Sequence, residues 1–176
     1  AFLRKLNHTR KMLCELTGAN HVEIMQGGGT LANDVVALQI AALKRPGIVL
    51  VSGEFGERLV NHARRAGLDF REIAKPWGVP FRPADVEQAI RTAADPGWLW
   101  AVHCESSTGV LNDLPMLKDI CARNKMKLCM DCTSTIGTMD VPLGDVYLAT
   151  GSSGKGLISF PGLALVFSRA DDLPSL

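Results

Sequence analysis

Seven short apolar runs, at residues 21–25, 48–52, 70–74, 98–103, 128–132, 146–150 and 162–167, constrain this chain more than any other feature. Each lies between turn-forming residues and is too short for a buried helix, so each reads as a strand. Stretches with helical spacing separate most of them. Over residues 2–16 the apolar positions Phe2, Leu3, Leu6, Met12, Leu13 and Leu16 recur at that spacing, and Thr17-Gly-Ala-Asn20 supplies a stop. Helices are likewise expected over 31–43, ended by Arg45-Pro-Gly47, over 55–66, stopped by Gly67, and over 84–93 and 115–124. Residues 76–83 and 104–112 read as loops. Strands alternating with helices bury both faces of a sheet, so the expected fold is α/β: a three-layer α/β/α domain around a mostly parallel, about seven-stranded sheet. There is no internal repeat, low-complexity tract or interdomain linker. Ligands of such sheets sit beyond the carboxyl ends of the strands.

With 176 residues and 47% hydrophobic content the chain is long enough for one domain with a real core. Its 19 basic and 18 acidic residues leave a formal charge of +1 and no electrostatic footprint for nucleic acid or an anionic membrane. No apolar run approaches the roughly 20 residues of a membrane span, and the basic amino-terminal segment lacks the apolar core of a secretion signal. A soluble, cytoplasmic protein acting on small molecules is expected. The five cysteines are an odd number set mostly in apolar runs, which points to reduced thiols. Cys129 and Cys132 form a C-x-x-C within a strand, so they should face opposite sides and not share a metal. Cys14, Cys121 and Cys129 read as core residues. Trp77, Trp98 and Trp100 read as packing residues, with Trp98 and Trp100 on one face of their strand. For His8, His21 and His62, surface or core roles suffice.

Two glycine motifs invite other readings. Gly154-Lys155 matches the end of a P-loop, but Ala149 stands at the first glycine position, Gly156 follows the lysine, and no helix follows. Gly27-x-Gly29-x-x-Ala32 fits the dinucleotide fingerprint between a strand and a helix, with Glu54 near the position of a ribose-binding acid. That leaves open a nicotinamide-dependent oxidoreductase. The Gly27–Gly29 run and Thr30 open a helix, and free amides without Cβ obstruction at its positive end suit any phosphate.

Several features fall at expected carboxyl ends of strands: Gln26-Gly-Gly-Gly-Thr30, Phe55 in Ser52-Gly-Glu-Phe-Gly-Glu-Arg58, Val102-His-Cys-Glu-Ser-Ser-Thr-Gly109, Asp131 and Lys155. A phosphate cup, an aromatic plane, a hydroxyl, a carboxylate and a lysine are the parts that hold pyridoxal 5'-phosphate. Taken singly each has a plainer reading: a strand-end cap for Asp131, a core aromatic for Phe55, loop hydroxyls for Ser106 and Ser153, a solvated turn residue for Lys155.

Four stretches in register, Gln26-Gly-Gly-Gly-Thr30, His103-Cys-Glu-Ser-Ser-Thr-Gly-Val110, Met130-Asp-Cys-Thr-Ser-Thr-Ile-Gly137 and Gly151-Ser-Ser-Gly-Lys155, resemble the consecutive motifs of class V aminotransferases, fold type I. The nearest look is to 2-aminoethylphosphonate:pyruvate and alanine:glyoxylate (serine:pyruvate) aminotransferases. The resemblance implies a pyridoxal-phosphate enzyme passing an amino group from a small amino acid or aminophosphonate to a 2-oxo acid. By the same resemblance Lys155 carries the imine to the cofactor and shuttles the substrate proton, and Asp131 pairs with the ring nitrogen. Phe55 stacks on the ring, Ser106 bonds its hydroxyl oxygen, and Gly28, Gly29, Thr30 and Ser153 hold the phosphate. His103 and Glu105 only position other groups. Gly151, Gly154 and Gly156 let the turn bend so that Lys155 reaches toward Asp131. The family is expected to form a homodimer and to carry a smaller carboxyl-terminal domain. Against it this chain, starting at Ala1 and stopping at Pro174-Ser-Leu176 near an expected helix start, reads as the cofactor-binding large domain over residues 1–176, or a fragment of one that is catalytically incompetent alone. A carbon–sulfur lyase using Cys104 or Cys132 is a rival within the same cofactor group.

Overall fold

The computed structural model describes residues 1–169; the expected helix start near Pro174 lies outside them. Helix α1 (Phe2–Thr17) precedes β1 (His21–Gln26), α2 (Gly29–Ala42), β2 (Gly47–Val51), α3 (Glu54–Arg65), β3 (Phe70–Ala74), α4 (Pro83–Thr92) and β4 (Trp98–Val102). A two-residue ribbon, β5 (Cys104–Glu105) with β6 (Val110–Leu111), then leads to α5 (Leu114–Arg123), β7 (Lys127–Asp131), β8 (Leu148–Ser152) and β9 (Leu163–Ser168). Seven strands form one sheet in the order β1-β9-β8-β7-β4-β2-β3. All neighbours are parallel except where β9 runs antiparallel between β1 and β8.

Period-two alternation divides the core into the two expected layers. Trp98, Trp100 and Val102 of β4, with Val49, Val51, Cys129 and Leu148, pack under α2 and α3. Leu99 and Ala101, with Ile48, Leu50, Leu128 and Met130, pack under α4 and α5 on the other face. Trp98 and Trp100 are fully buried on one face, as the alternation requires. At about 25 cal/mol per Å² and roughly 200 Å² per ring, each contributes about 5 kcal/mol. Cys129 and Cys132 lie in opposite layers. Cys14, expected in the core, is only partly buried. Trp77 does not pack: it is 54% exposed in the loop after β3, with Nε1 donating to Glu57 Oε1 at 3.3 Å.

Two boundaries differ from expectation in a way that matters for the site. Helix α2 starts at Gly29, behind Gly28, so Gly29 and Thr30 belong to its first turn. Strand β8 runs on to Ser152, which places Gly151 within the sheet and not in the turn. No helix among the described residues is long and apolar enough to cross a membrane.

Candidate active site

Strands β4, β7 and β8 lie in register at the site, Val102 beside Asp131 and Asp131 beside Thr150. Asp131 shares the face of Cys129, so its side chain points under α2 and is 6% exposed. Three donors reach it there. Asn33 Nδ2 donates to Oδ2 at 2.8 Å, while Thr133 N at 2.9 Å and Thr150 Oγ1 at 3.2 Å donate to Oδ1. Buried carboxylates need such donors to offset their lost hydration. Thr150 Oγ1 also lies 3.1 Å from Asn33 Oδ1, which closes a three-residue network. Asn33 was not singled out from sequence. Its signal was available: a polar residue beside Ala32 and one turn before Val36 and Ala37 on the core face of α2.

Around this corner stands a cavity of about 240 Å³, lined by residues that include Gly29, Thr30, Phe55, Ser106, Asp131 and Lys155. Six of the residues singled out from sequence thus converge from five separate segments. Gly28 and Ser153 do not line it. Gly28 is the exposed cap residue of α2, and its carbonyl accepts from Ala32 N at 3.2 Å. Ser153 is buried and used internally: Oγ donates to Phe160 O at 2.7 Å and accepts from Leu163 N at 3.1 Å. A larger hollow of about 490 Å³, lined by Lys118, Lys125, Lys127 and Asp145, lies at the opposite ends of β7 and β8 and gathers none of these residues.

The amides of Gly29, Thr30 and Leu31 face no protein acceptor among the described residues, and the first turn of α2 carries no acid. A Cβ on Gly29 would lie 2.9 Å from Thr133 Cγ2, so glycine permits this close approach. Thr133 Oγ1 is itself buried and without a partner among the described residues. On the facing wall the Arg58 guanidinium lies 4.9 Å from the Phe55 ring centroid. Lys155 is exposed in the turn after β8. Gly154 and Gly156 serve there by close packing and not by left-handed backbone: added Cβ atoms would meet Pro161 Cβ at 2.8 Å and Ile136 O at 2.5 Å.

His62, for which surface or core roles sufficed, also lines the cavity while only 5% exposed. Its Nδ1 lies 2.6 Å from Asp34 Oδ1, the same oxygen that Arg65 Nη2 reaches at 2.8 Å. Burial pushes the Asp34 carboxyl up, but hydrogen bonds from Arg65 and His62 outweigh it and hold the group below its usual range. His103 is tied to β7 through its amide, 2.8 Å from Asp131 O, and its Nδ1 lies 2.9 Å from Thr135 Oγ1. Burial pushes its imidazole down from the ordinary histidine value. Cys104 lines the cavity. Cys132 is sealed in the core, and burial pushes its thiol far up, which removes it as a nucleophile.

The dinucleotide reading loses its support: the strand order is not that of a dinucleotide fold, and Glu54 pairs with Arg58 on its own helix. Fold and pocket define instead an aminotransferase-type α/β/α domain. The chain superposes with a TM-score of 0.86 on an alanine–glyoxylate aminotransferase of Nostoc sp., at 30% identity, covering 96% of this chain and 46% of that one. A ureidoglycine–glyoxylate aminotransferase of Bacillus subtilis gives a TM-score of 0.86 at 25% identity, covering 94% of this chain and 43% of that one. The chain belongs to the family Aminotransferase class-V, whose family model matches residues 1–176. It is 29% identical over 178 residues to the 2-aminoethylphosphonate–pyruvate transaminase of Pseudomonas fluorescens, covering 96% of this chain and 48% of that protein. The chain spans about half the length of the curated relatives it matches.

Proposed function

We propose that this chain holds pyridoxal phosphate and takes part in amino transfer from a small amino acid or aminophosphonate to a 2-oxo acid. The observation that carries the reading is the convergence of Lys155 and Asp131 on one cavity with Phe55, Ser106, Gly29 and Thr30. Its donors suit the group: unfilled amides at the start of α2 suit a phosphate, and the unpartnered Thr133 hydroxyl suits an oxygen-bearing ligand. When bound, the cofactor supplies a carbonyl that condenses with amines and a ring that takes up electrons. The chain's own residues do the rest. Lys155 would offer the amine that holds the cofactor, and its Nζ, once freed, would carry the proton from substrate Cα to the cofactor's C4′. Asp131, fixed by three donors, keeps the ring-nitrogen proton in place. Phe55 covers one face of the ring, and Ser106 bonds its hydroxyl oxygen.

The chain is read as the large, cofactor-binding domain of a homodimeric enzyme. Ile158 and Phe160, just past Lys155, are 92% and 91% exposed, an apolar pair that a second copy would cover. Sedimentation that returns only monomer at micromolar concentration would remove that part of the reading.

Borohydride reduction in the presence of pyridoxal phosphate, followed by peptide mapping, tests the assignment. Label on Lys155, absent from Lys155→Ala, is expected, and label spread over surface lysines would sink it. Bleaching of the bound cofactor's colour by 2-aminoethylphosphonate, alanine or serine would then identify the donor. A chain that binds cofactor yet responds to no amine would be a binding domain that cannot turn over unaided.

A further inference from the structure

Helix α3 opens behind Gly53, which offers no side-chain cap. The first amides of a helix have no partner within it, and here those of Glu54, Phe55 and Gly56 are taken from elsewhere. Glu54 N donates to Ser107 Oγ at 3.1 Å, Phe55 N to Glu105 Oε1 at 3.2 Å and Gly56 N to Glu105 Oε2 at 2.9 Å. Ser107 Oγ in turn donates to Glu105 Oε1 at 2.6 Å. Glu105 is fully buried. Gly53 makes room for it, since a Cβ there would lie 2.5 Å from Glu105 Cγ. On its other side Glu105 is anchored in the ribbon opposite Val110, and its carbonyl accepts the amides of Thr108 and Gly109.

One carboxylate therefore joins two walls of the cavity. Phe55 sits within the turn it caps, and Ser106 lies between Glu105 and Ser107. We propose that Glu105 is a positioning residue that sets the gap between the Phe55 ring and the Ser106 hydroxyl, and with it the slot that accepts a flat ring. The inference rests on the cofactor reading above. Hydrogen bonds from amides to a carboxylate at a helix start are charge-assisted and reinforced by the helix dipole, so the clamp is stiff. Replacing the carboxylate by an amide of the same shape gives one oxygen and one donor to a site whose two backbone amides, Phe55 N and Gly56 N, can only donate. An N–H then opposes either Gly56 N or the pair Phe55 N and Ser107 Oγ. The first turn of α3 loosens, and Phe55 with it.

A plain helix cap would stabilise the fold and be indifferent to the ring in the slot, so coupling to Phe55 separates the two. Pyridoxal phosphate is titrated into the wild type, Glu105→Gln, Phe55→Leu and the double variant, following affinity and the induced circular dichroism of the bound cofactor. Each single variant is expected to weaken binding about 10-fold, and the double to be no weaker than the worse single. Amide exchange without cofactor is expected to lose protection at Phe55 and Gly56 in Glu105→Gln. Additive losses, or wild-type affinity and dichroism in Glu105→Gln, would overturn the proposal. If Glu105→Gln does not fold, Ser107→Ala carries the same cycle with Phe55→Leu, with a loss of about 3-fold expected. If the wild type binds no pyridoxal phosphate, the cofactor reading fails instead, and unchanged amide protection would then overturn the clamp by itself.

Discussion

Helices α2 and α3 leave the sheet alike. Each follows a strand end, opens behind a glycine that contributes no cap, and lines the same cavity. Their first turns are chemically opposite. The start of α3 carries Glu54 and Glu57, and its free amides are filled by Glu105 and Ser107. The start of α2 carries no acid, its amides face no protein acceptor among the described residues, and beside Gly29 stands the Thr133 hydroxyl, also unpartnered among those residues. A helix start is an anion site only while nothing in the protein has claimed it. Glu105 and Ser107, some fifty residues away in sequence, claim one of these and leave the other.

The sharpest way to break this contrast is at the α2 start. Gly29→Val places a branched side chain where a Cβ alone would meet Thr133 at 2.9 Å. Affinity for pyridoxal phosphate, read by absorbance titration, is expected to fall about 100-fold, as two or more charge-assisted hydrogen bonds are lost. Unchanged affinity would show that the phosphate does not sit there. Gly53→Ala at the α3 start makes the complementary test. Its Cβ collides with Glu105, and overpacking a closed site costs about 2 kcal/mol of folding stability by urea denaturation. Its loss of affinity should pass through Phe55 and stay well below that of Gly29→Val. The reverse ranking would invert the roles given to the two ends.

Much of this was legible in the residues, and the physical reason is locality. Strand and helix order follow from periodicity, and so do the shared face of Trp98 and Trp100 and the opposed faces of Cys129 and Cys132. The placement of Asp131 and Lys155 at strand ends follows from the same pattern. Direction is not local: Leu163–Ser168 reads as an apolar strand either way, and only its neighbours β1 and β8 make it antiparallel. Side-chain partnership is less local still. The Asn33 bonds to Asp131 and Thr150 span 98 and 117 residues, and no motif in α2 announces them. Ser153 illustrates the same point, because a hydroxyl two residues before a lysine looks free for a ligand, whereas Phe160 and Leu163 already engage it.

Two smaller effects sharpen the contrast. Thr30→Glu puts an acid into the empty first turn of α2, where it meets the positive end of the helix. Thermal stability should rise by about 0.5 kcal/mol while affinity for pyridoxal phosphate drops at least 10-fold. A variant that gained stability and kept its affinity would mean that the ligand ignores this helix end.

The smallest effect belongs to the α3 side, through His103, which leads into the ribbon that carries Glu105. Burial holds its pKa below the ordinary value of about 6.5. As pH falls through that value the unfolded chain takes up a proton that the folded chain refuses, so the unfolded state binds more protons and folding stability declines. Above about pH 7.5 both states are neutral and the contribution vanishes. The stability of the wild type measured from pH 7.5 down to 5.5 should therefore fall more steeply than that of His103→Gln, with amide protection at Phe55 and Gly56 declining in parallel. The amides at the α2 start, which have no protein acceptor among the described residues to lose, should show no matching change. Equal slopes for wild type and variant would rule out His103 as the source of the decline, and matching changes at both helix starts would mean that the two ends open as one unit.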